Sequence, residues 1–326
     1  MSDPSDVNRA ASFWDRGHHE GITSWMENPV VRDYVNGRFE GEWPAQWFVR
    51  QLNGRRFRRA LSVGCGTGSF ERLLVQQDVC ESVDAFDASI QSLASARAEA
   101  QTAGVASRIR YFAADFNRPA LPSAAYDLVV FHQSLHHVER IERLLAAVLK
   151  TMHPGGIVYL DEYVGPSRID WTRGLLRGAT NAHAEIPPEV RVHDELLYPI
   201  QSDDPSEAVR SSDILGQLRV GFELTELRGY GGNIVAVLYP EVRWDRATAR
   251  LLPRLLELDR AAETKHGPYY AVIVGRPRTG LARTIALARY ATAAQWQQYR
   301  WNRFLRPKLL RVKLGIRRRL GLDARW

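Results

Sequence analysis

The chain has 326 residues, of which 45% are hydrophobic and 25% charged, with a formal net charge of +7. That length can bury one large α/β core with appendages or two smaller domains, and no run reaches the roughly 18 apolar residues of a membrane span. Two cysteines, Cys65 and Cys80, exclude a disulfide framework and fit a reducing cytoplasm, and the polar first residues (Asp3, Asp6, Asn8) carry no expected signal peptide.

Residues 1–57 hold four of the nine tryptophans (Trp14, Trp25, Trp43, Trp47) together with Phe13, Phe39 and Phe48. Such density predicts a helical cap packed on the core and reaching over the ligand, with plain core packing as the competing reading. From Ala60 to Leu74 an apolar run (Leu61, Ser62, Val63) stops at Gly64, Gly66 and Gly68, and an amphipathic segment begins. This reads as a strand, a turn with unusual backbone angles and a helix start, where a ligand can approach main-chain N–H groups. A dinucleotide fold needs its third glycine at position 69, which is Ser69. A glycine-rich structural turn is the bland alternative.

Strands and helices then alternate. Strands are expected at 82–87 (ending on Asp87), 108–114 (ending before Asp115), 126–132 and 156–163, with helices at 89–103 and 139–152. This alternation predicts a parallel sheet covered on both faces, whose right-handed crossovers bring all carboxyl ends to one rim. Residues 165–220, with Pro166, Pro187, Pro188, Pro199 and Pro205, read as a helical insertion over that rim. Strand pattern returns at 222–228 and 269–275, separated by a helix around 246–265. Asp87 is placed to accept two hydrogen bonds from a ribose diol, and Asp115 one from an adenine amine while Phe116 lies against the ring. Each acid could instead cap a helix.

From about residue 55 to 275 the chain resembles class I S-adenosylmethionine-dependent methyltransferases. The resemblance rests on Leu-Ser-Val-Gly-Cys-Gly-Thr-Gly (61–68), Phe-Asp-Ala-Ser (86–89), Ala-Asp-Phe (114–116), Tyr-Asp-Leu-Val-Val (126–130), Ser-Leu-His-His-Val (134–138) and His-Pro-Gly-Gly (153–156). Two further blocks, Asp-Glu-Tyr-Val-Gly-Pro-Ser-Arg (161–168) and Asp-Pro-Ser-Glu-Ala-Val-Arg-Ser-Ser (204–212), are similar to a bacterial subgroup of stand-alone methyltransferases. The resemblance implies a Rossmann-like seven-stranded sheet of order 3-2-1-4-5-7-6 with strand 7 antiparallel, and S-adenosyl-L-methionine as cofactor. It implies cofactor contacts from Gly64, Cys65, Gly66, Gly68, Asp87, Ala88, Asp115, Phe116 and His132. The Trp-rich front and the chain beyond Arg276 depart from the general family pattern.

Methyl transfer from a sulfonium is an in-line displacement that mainly needs alignment and exclusion of water. An alcohol acceptor also needs a base, most often His. The candidates are His132, His136 and His137, with His136 expected first; an edge histidine that merely holds the loop is the competing reading. Glu162, Tyr163 and Arg168 are expected to shape the acceptor site, and Arg191, His183 and His193 to meet an anionic substrate. No metal is expected, because the histidines lack ligand spacing and no acidic cluster accompanies them along the chain. A serine hydrolase is excluded by the lack of Gly-x-Ser-x-Gly.

Between Arg276 and Trp326 stand fourteen Arg and Lys against one acid, Asp323, so the rest of the chain is net negative. On a helical wheel Trp301, Phe304, Leu305, Leu309, Val312, Ile316 and Leu320 share an arc of about 160° opposite Arg303, Arg306, Lys313, Arg317 and Arg318. Such a helix reads as a membrane-surface element or as a helix packed on the domain; nucleic acid is not expected. The expected organisation is a cap (1–57), a methyltransferase domain (58–278) with the insertion at 165–220, and a basic tail (279–326). The expected function is O-methylation of a hydroxyl on a bacterial glycan, lipid-linked intermediate or secondary metabolite, in the cytoplasm or at the inner membrane face. The alternatives are a nonenzymatic cofactor-binding or partner-binding protein that retains the fold and, third, a nicotinamide dehydrogenase, against which Ser69 argues.

Overall fold

Seven strands make one sheet in the computed structural model, which describes residues 24–196 and 206–300 together with Ala11, Asp15 and Asp204. The strands are β1 (Phe57–Val63), β2 (Cys80–Asp87), β3 (Ile109–Ala113), β4 (Tyr126–His132), β5 (Met152–Tyr163), β6 (Phe222–Gly229) and β7 (Tyr270–Pro277). Their order is β3-β2-β1-β4-β5-β7-β6, as expected. The first five pair in parallel, and β7 runs antiparallel to both β5 and β6.

The central strands read as continuous apolar runs because both of their faces are buried. Successive side chains alternate between two core clusters. Leu128 and Val130 of β4 and Ile157 and Tyr159 of β5 join one cluster, while Val129, Phe131, Val158 and Leu160 join the other. The first cluster is covered by α1 (Pro29–Asn36), α2 (Pro44–Gln51), α3 (Ser69–Gln76), α4 (Ile90–Thr102) and, beyond the insertion, the helix Leu252–His266. The second is covered by α5 (Ile141–Thr151) and by the helices Ile214–Gly221 and Gly280–Arg300.

The described part of the Trp-rich segment packs as core. Asn28 caps α1 by accepting from the Val30 N–H at 3.0 Å, and Pro29 takes the first turn, where its missing N–H is harmless. Phe48 on α2 stacks on Tyr159 of the sheet at 4.1 Å, and Trp25 lies 5.2 Å from Tyr270. Burying each such ring contributes about 1.5–3 kcal/mol. Trp14 and Phe13 lie outside the described residues.

Two boundaries differ from the sequence expectation. β5 begins at Met152 rather than 156, since the register with β4 shifts between Tyr126 and Leu128 and takes up Pro154 and Gly155 as an irregularity. The helix expected around 246–265 begins only at Leu252. Asp245 and Thr248 spend their side chains on each other's backbone N–H, at 2.7 Å each, in a closed turn. Pro253 then sits in the first helical turn.

The insertion contributes α6 (Arg173–Glu185), capped by Thr172; its Ala179 and Ala182, with Ile186 just after it, form a third cluster with Ile234, Leu238, Val242 and Leu255. Its far end returns to the sheet rim. There the Val209 N–H donates to the His136 carbonyl at 3.1 Å, and the Arg168 N–H to the Ala208 carbonyl at 2.8 Å. In the helix Gly280–Arg300, Ala286 and Tyr290 are buried, and the Tyr290 hydroxyl donates to the Gln217 carbonyl at 2.6 Å. The apolar arc from Trp301 to Leu320 lies outside the described residues. Among the described residues no helix is long and apolar enough to cross a membrane.

Candidate active site

The glycine turn leaves β1 and enters α3 at the carboxyl rim. Gly64 and Cys65 both donate their N–H to the Phe86 carbonyl, at 2.9 and 3.2 Å, which locks the turn onto β2. A Cβ on Gly64 would stand 2.4 Å from the Ser134 Cβ, so only glycine lets the loop after β4 approach this closely. Gly66 is different: at φ +51° its Cβ would meet nothing within 4 Å, so it opens on free space above the turn. Gly68 forms the start of α3.

Asp87 does not cap the next helix. That role belongs to Ser89, whose hydroxyl accepts from the Ser92 N–H at 3.0 Å. Asp87 instead bridges the turn and the helix entry, Oδ2 accepting from the Gly66 N–H at 2.9 Å and Oδ1 from the Ser89 N–H at 2.8 Å. Burial pushes its carboxyl upward, while the Ser89, Gly66 and Ala88 amides pull it back only in part. Asp115 accepts from the Asn117 N–H at 2.8 Å in its own turn. Phe116 is half-buried, its ring 5.7 Å from Phe86 and its Cζ 3.5 Å from where a Gly64 Cβ would stand. The three expected sites thus converge on the turn. An acid that the sequence reading missed joins them: Asp15 Oδ1 accepts from the Ser89 hydroxyl at 2.5 Å and from the Gln91 N–H at 3.3 Å.

Beneath the turn, Glu71 accepts from the Ser62 hydroxyl, and its other oxygen has no hydrogen-bond partner among the described residues. Burial raises its carboxyl, and burial likewise pushes the Cys65 thiol far up, which leaves Cys65 a packing residue rather than a nucleophile.

The histidines occupy two corners at the ends of β4 and β5. His132 closes β4 with its side chain 33% exposed, stacked on Phe70 at 5.4 Å, with Nε2 3.7 Å from Asp161 Oδ2. Asp161 is buried and accepts from the Tyr230 hydroxyl at 2.5 Å and from Gln133 Nε2 at 3.3 Å. Burial raises its carboxyl, while His132 and the Tyr230 hydroxyl act against that. Gln133 sits at φ +54°, a left-handed conformation rare outside glycine, at the point where the chain leaves the strand.

His136 differs from its expected role as first-choice base. Its ring is buried and Nδ1 is bonded to Glu162 Oε1. Burial acts against its charge, but Glu162 and Glu207 outweigh it and raise its pKa to about 9, so at neutral pH it already holds the proton a base must accept. His137 is lowered by burial and by the charge on His136, and its Nδ1 lies 3.1 Å from the Ser206 hydroxyl.

The expected acceptor residues are also placed differently. Glu162 is fully buried and spends both oxygens on the protein, Oε2 accepting from the Ser134 and Leu135 N–H groups at 2.9 and 2.6 Å and Oε1 from the Tyr163 N–H at 2.8 Å. Burial opposes its charge, and His136 with those amides holds its carboxyl below the usual range. Tyr163 is buried, donates to the Pro166 carbonyl at 3.0 Å and packs on Tyr269 and Tyr270. Arg168 is anchored through its backbone to the Ala208 carbonyl. His193 pairs with Glu241 at 2.9 Å, and Arg191 donates to the Ile186 and Ala184 carbonyls. His183 is buried among the residues of the third cluster's helix.

Residues 61–160 match the family described as a methyltransferase domain. Curated relatives over the same region include a malonyl-[acyl-carrier protein] O-methyltransferase of Enterobacter lignolyticus, 32% identical over 35% of this chain and 42% of its own length. Another is a ubiquinone/menaquinone biosynthesis C-methyltransferase of Azotobacter vinelandii, 27% identical over 42% of this chain and 54% of its own. The chain thus spans about half the length of these relatives, and only 27% of a Synechococcus protein to which it is 32% identical. A solved S-adenosylmethionine-dependent methyltransferase from Mesorhizobium loti is 22% identical and covers 73% of this chain and 99% of its own, with a TM-score of 0.44.

S-Adenosylmethionine is the cofactor that goes with the methyltransferase domain, and the rim fits it. Gly66 leaves an open cradle at the turn, Asp87 keeps unused lone pairs on both oxygens beside it, and Phe116 offers a half-buried ring next to Gly64. Gly64, Gly66, Asp87, Ala88, Asp115 and Phe116 are the residues that would hold it.

Proposed function

We propose that this protein is an S-adenosylmethionine-dependent methyltransferase that acts on a hydroxyl of a small molecule, glycan or lipid-linked intermediate, with His132 as general base. The observation that carries the base assignment is the corner formed by His132 and Asp161: an accessible imidazole at the carboxyl end of β4, stacked on Phe70 on one side and facing a buried carboxylate 3.7 Å away on the other. Bound cofactor supplies a methyl group on a positively charged sulfur. The chain's part is to bind, align and take a proton. With Nε2 turned to Asp161, Nδ1 of His132 is the nitrogen that accepts the hydroxyl proton as the oxygen acquires the methyl group. Asp161 then faces the imidazolium as counter-charge, and Tyr230 and Gln133 keep Asp161 in place. The relatives named for O- and C-methylation leave the acceptor atom to experiment. A screen of hydroxylated acceptors with methyl-labelled S-adenosylmethionine tests this reading. Label should pass to an oxygen, and His132→Ala should abolish most of it; transfer that survives in that variant removes His132 as base.

We also propose that the basic segment beyond Arg300 meets an anionic membrane surface, which its charge and apolar arc support at about 1 kcal/mol per basic residue near the lipid. Truncation after Arg300 spares Tyr290 and Ala286, which help bury the helix before it. Sedimentation with anionic vesicles at low salt should carry down the full chain and leave the truncated one in solution; full-length protein that stays in the supernatant ends the idea.

A further inference from the structure

Two sequence blocks, 161–168 and 204–212, come together at the second histidine corner. Glu162 arrives from the block 161–168, Asp204, Ser206 and Glu207 from the block 204–212, and His136 and His137 from the loop after β4. The acids that the sequence reading found missing beside the histidines are supplied by the end of β5 and by the insertion itself. One ligand atom each from His136, His137 and Glu207 lies within 4.8 Å of the others. We propose that these three residues bind a divalent transition-metal ion of the zinc type, which displaces to solvent the proton that His136 holds in the ion-free chain.

Four observations support this. First, the distances are near those of a coordination sphere. Glu207 Oε2 is 3.9 Å from His136 Nε2 and 4.0 Å from His137 Nδ1. Tetrahedral ligands about 2.1 Å from an ion stand roughly 3.4 Å apart, so a shift of about half an ångström brings Glu207 to that distance from both rings, which themselves have ligand atoms within 4.8 Å of each other. Second, His136 is oriented as metal-ligating histidines are: one ring nitrogen bonds a buried carboxylate, Glu162, and the other faces Glu207. Third, charge is out of balance. Glu162, Asp204 and Glu207 surround two imidazoles, with Asp204 Oδ2 3.5 Å from His137 Nδ1, so carboxylates outnumber any imidazolium, and a dication that displaces the His136 proton leaves the corner less negative than it was.

Fourth, the site is held rigidly. The guanidinium of Arg210 clamps Glu142 of α5 through two bonds of 2.7 Å and donates to the Glu139 carbonyl at 3.0 Å. This clamp and the bond from the Val209 N–H to the His136 carbonyl fix the Glu207 turn over the histidines. Glu207 is 34% exposed, which gives an ion a way in, and a donor set of two imidazoles and a carboxylate suits zinc and its neighbours better than magnesium or calcium. Two ligands stand before the insertion and the third inside it, so no local spacing announces them.

The test is direct metal binding by untagged full-length protein stripped with a chelator, and it does not depend on methyl transfer. Calorimetry with Zn²⁺ should show about one equivalent bound, and Co²⁺ should give the visible absorption of a low-coordinate nitrogen and oxygen site. Glu207→Gln, on a partly exposed side chain, should keep the fold by circular dichroism and weaken Zn²⁺ binding at least about tenfold. His193→Ala, at the separate His193–Glu241 pair, should bind as the wild type does. A stripped wild type that takes up no Zn²⁺, a folded Glu207→Gln variant that binds it unchanged, or a loss of binding in His193→Ala alone would each overturn the site.

Discussion

Two histidine–acid pairs stand at the ends of the same two strands and behave as opposites. His132 with Asp161 is open: its side chain is 33% exposed and the pair is separated by 3.7 Å. His136 with Glu162 is closed: the ring is 8% exposed and in direct contact with a carboxylate that has no exposure at all. The difference begins with the pleat of β5, which sends the adjacent residues Asp161 and Glu162 to opposite sides of the sheet. Asp161 meets Tyr230 of the first core cluster, whereas Glu162 meets the loop whose Leu135 belongs to the second. Chemically similar pairs therefore take different work, one poised to exchange a proton with a ligand and the other committed to holding the loop and, by our proposal, an ion.

The sharpest way to break this comparison is to remove each imidazole. His132→Ala should lower turnover by roughly 10²–10⁴ while leaving the melting temperature nearly unchanged. His136→Gln should do the reverse, lowering the melting temperature and costing activity only through the unfolded fraction. A stable His136→Gln enzyme without turnover would exchange the two roles.

Loss of the acid at the closed corner comes next. Glu162→Gln leaves a buried imidazolium without its partner and should destabilise the fold by about 3–5 kcal/mol in urea titrations. Asp161→Asn, beside a solvent-reached ring, should fall well short of that. Equal losses would mean that the open corner is as structural as the closed one.

The closed corner should also titrate. His136 has a pKa of about 9 in the folded chain, against about 6.5 when unfolded, so the pair's stabilisation is fully present below about pH 6.5. It should decline as pH rises through about 9, by an amount on the order of 3 kcal/mol. Urea midpoints measured with chelator at pH 6 and pH 9.5 read this, and the slope should vanish in His136→Gln. A flat wild-type profile would show that the histidine is neutral in the fold.

The smallest expected effect concerns the cofactor turn, away from both corners. Asp87→Ala should weaken S-adenosylmethionine and S-adenosylhomocysteine binding by about 1.5–3 kcal/mol in calorimetry, the worth of bonds to a charged acceptor. NAD should give no comparable response in either protein. Affinity unchanged in the variant would leave Asp87 with only its bonds to Gly66 and Ser89.

Much of the architecture was legible in the sequence because it is written in local signals. The interrupted run at Gly64, Gly66 and Gly68, the apolar strands ending on Asp87 and before Asp115, and the helical stretches between them identify a parallel sheet and its ligand rim. Resemblance then supplied the sheet order with its antiparallel β7. The boundaries that slipped, at Met152 and Leu252, are places where pairing across the sheet or a side-chain-capped turn overrode the local pattern.

The sequence by itself determined the alternation of strands and helices and the glycine turn, and it offered the candidate histidines, because strand periodicity and glycine spacing act through the chain's own covalent neighbourhood. Which histidine is free and which is bound, by contrast, was decided only in three dimensions. His136 carries its proton because Glu162 and Glu207 converge on it in a buried site, and His132 faces, at 3.7 Å, an Asp161 that Tyr230 secures from a distant strand end. Charge and burial depend on which residues are neighbours in space, and residues 136, 162 and 207 become neighbours only when the sheet is closed and the insertion folds back over its rim.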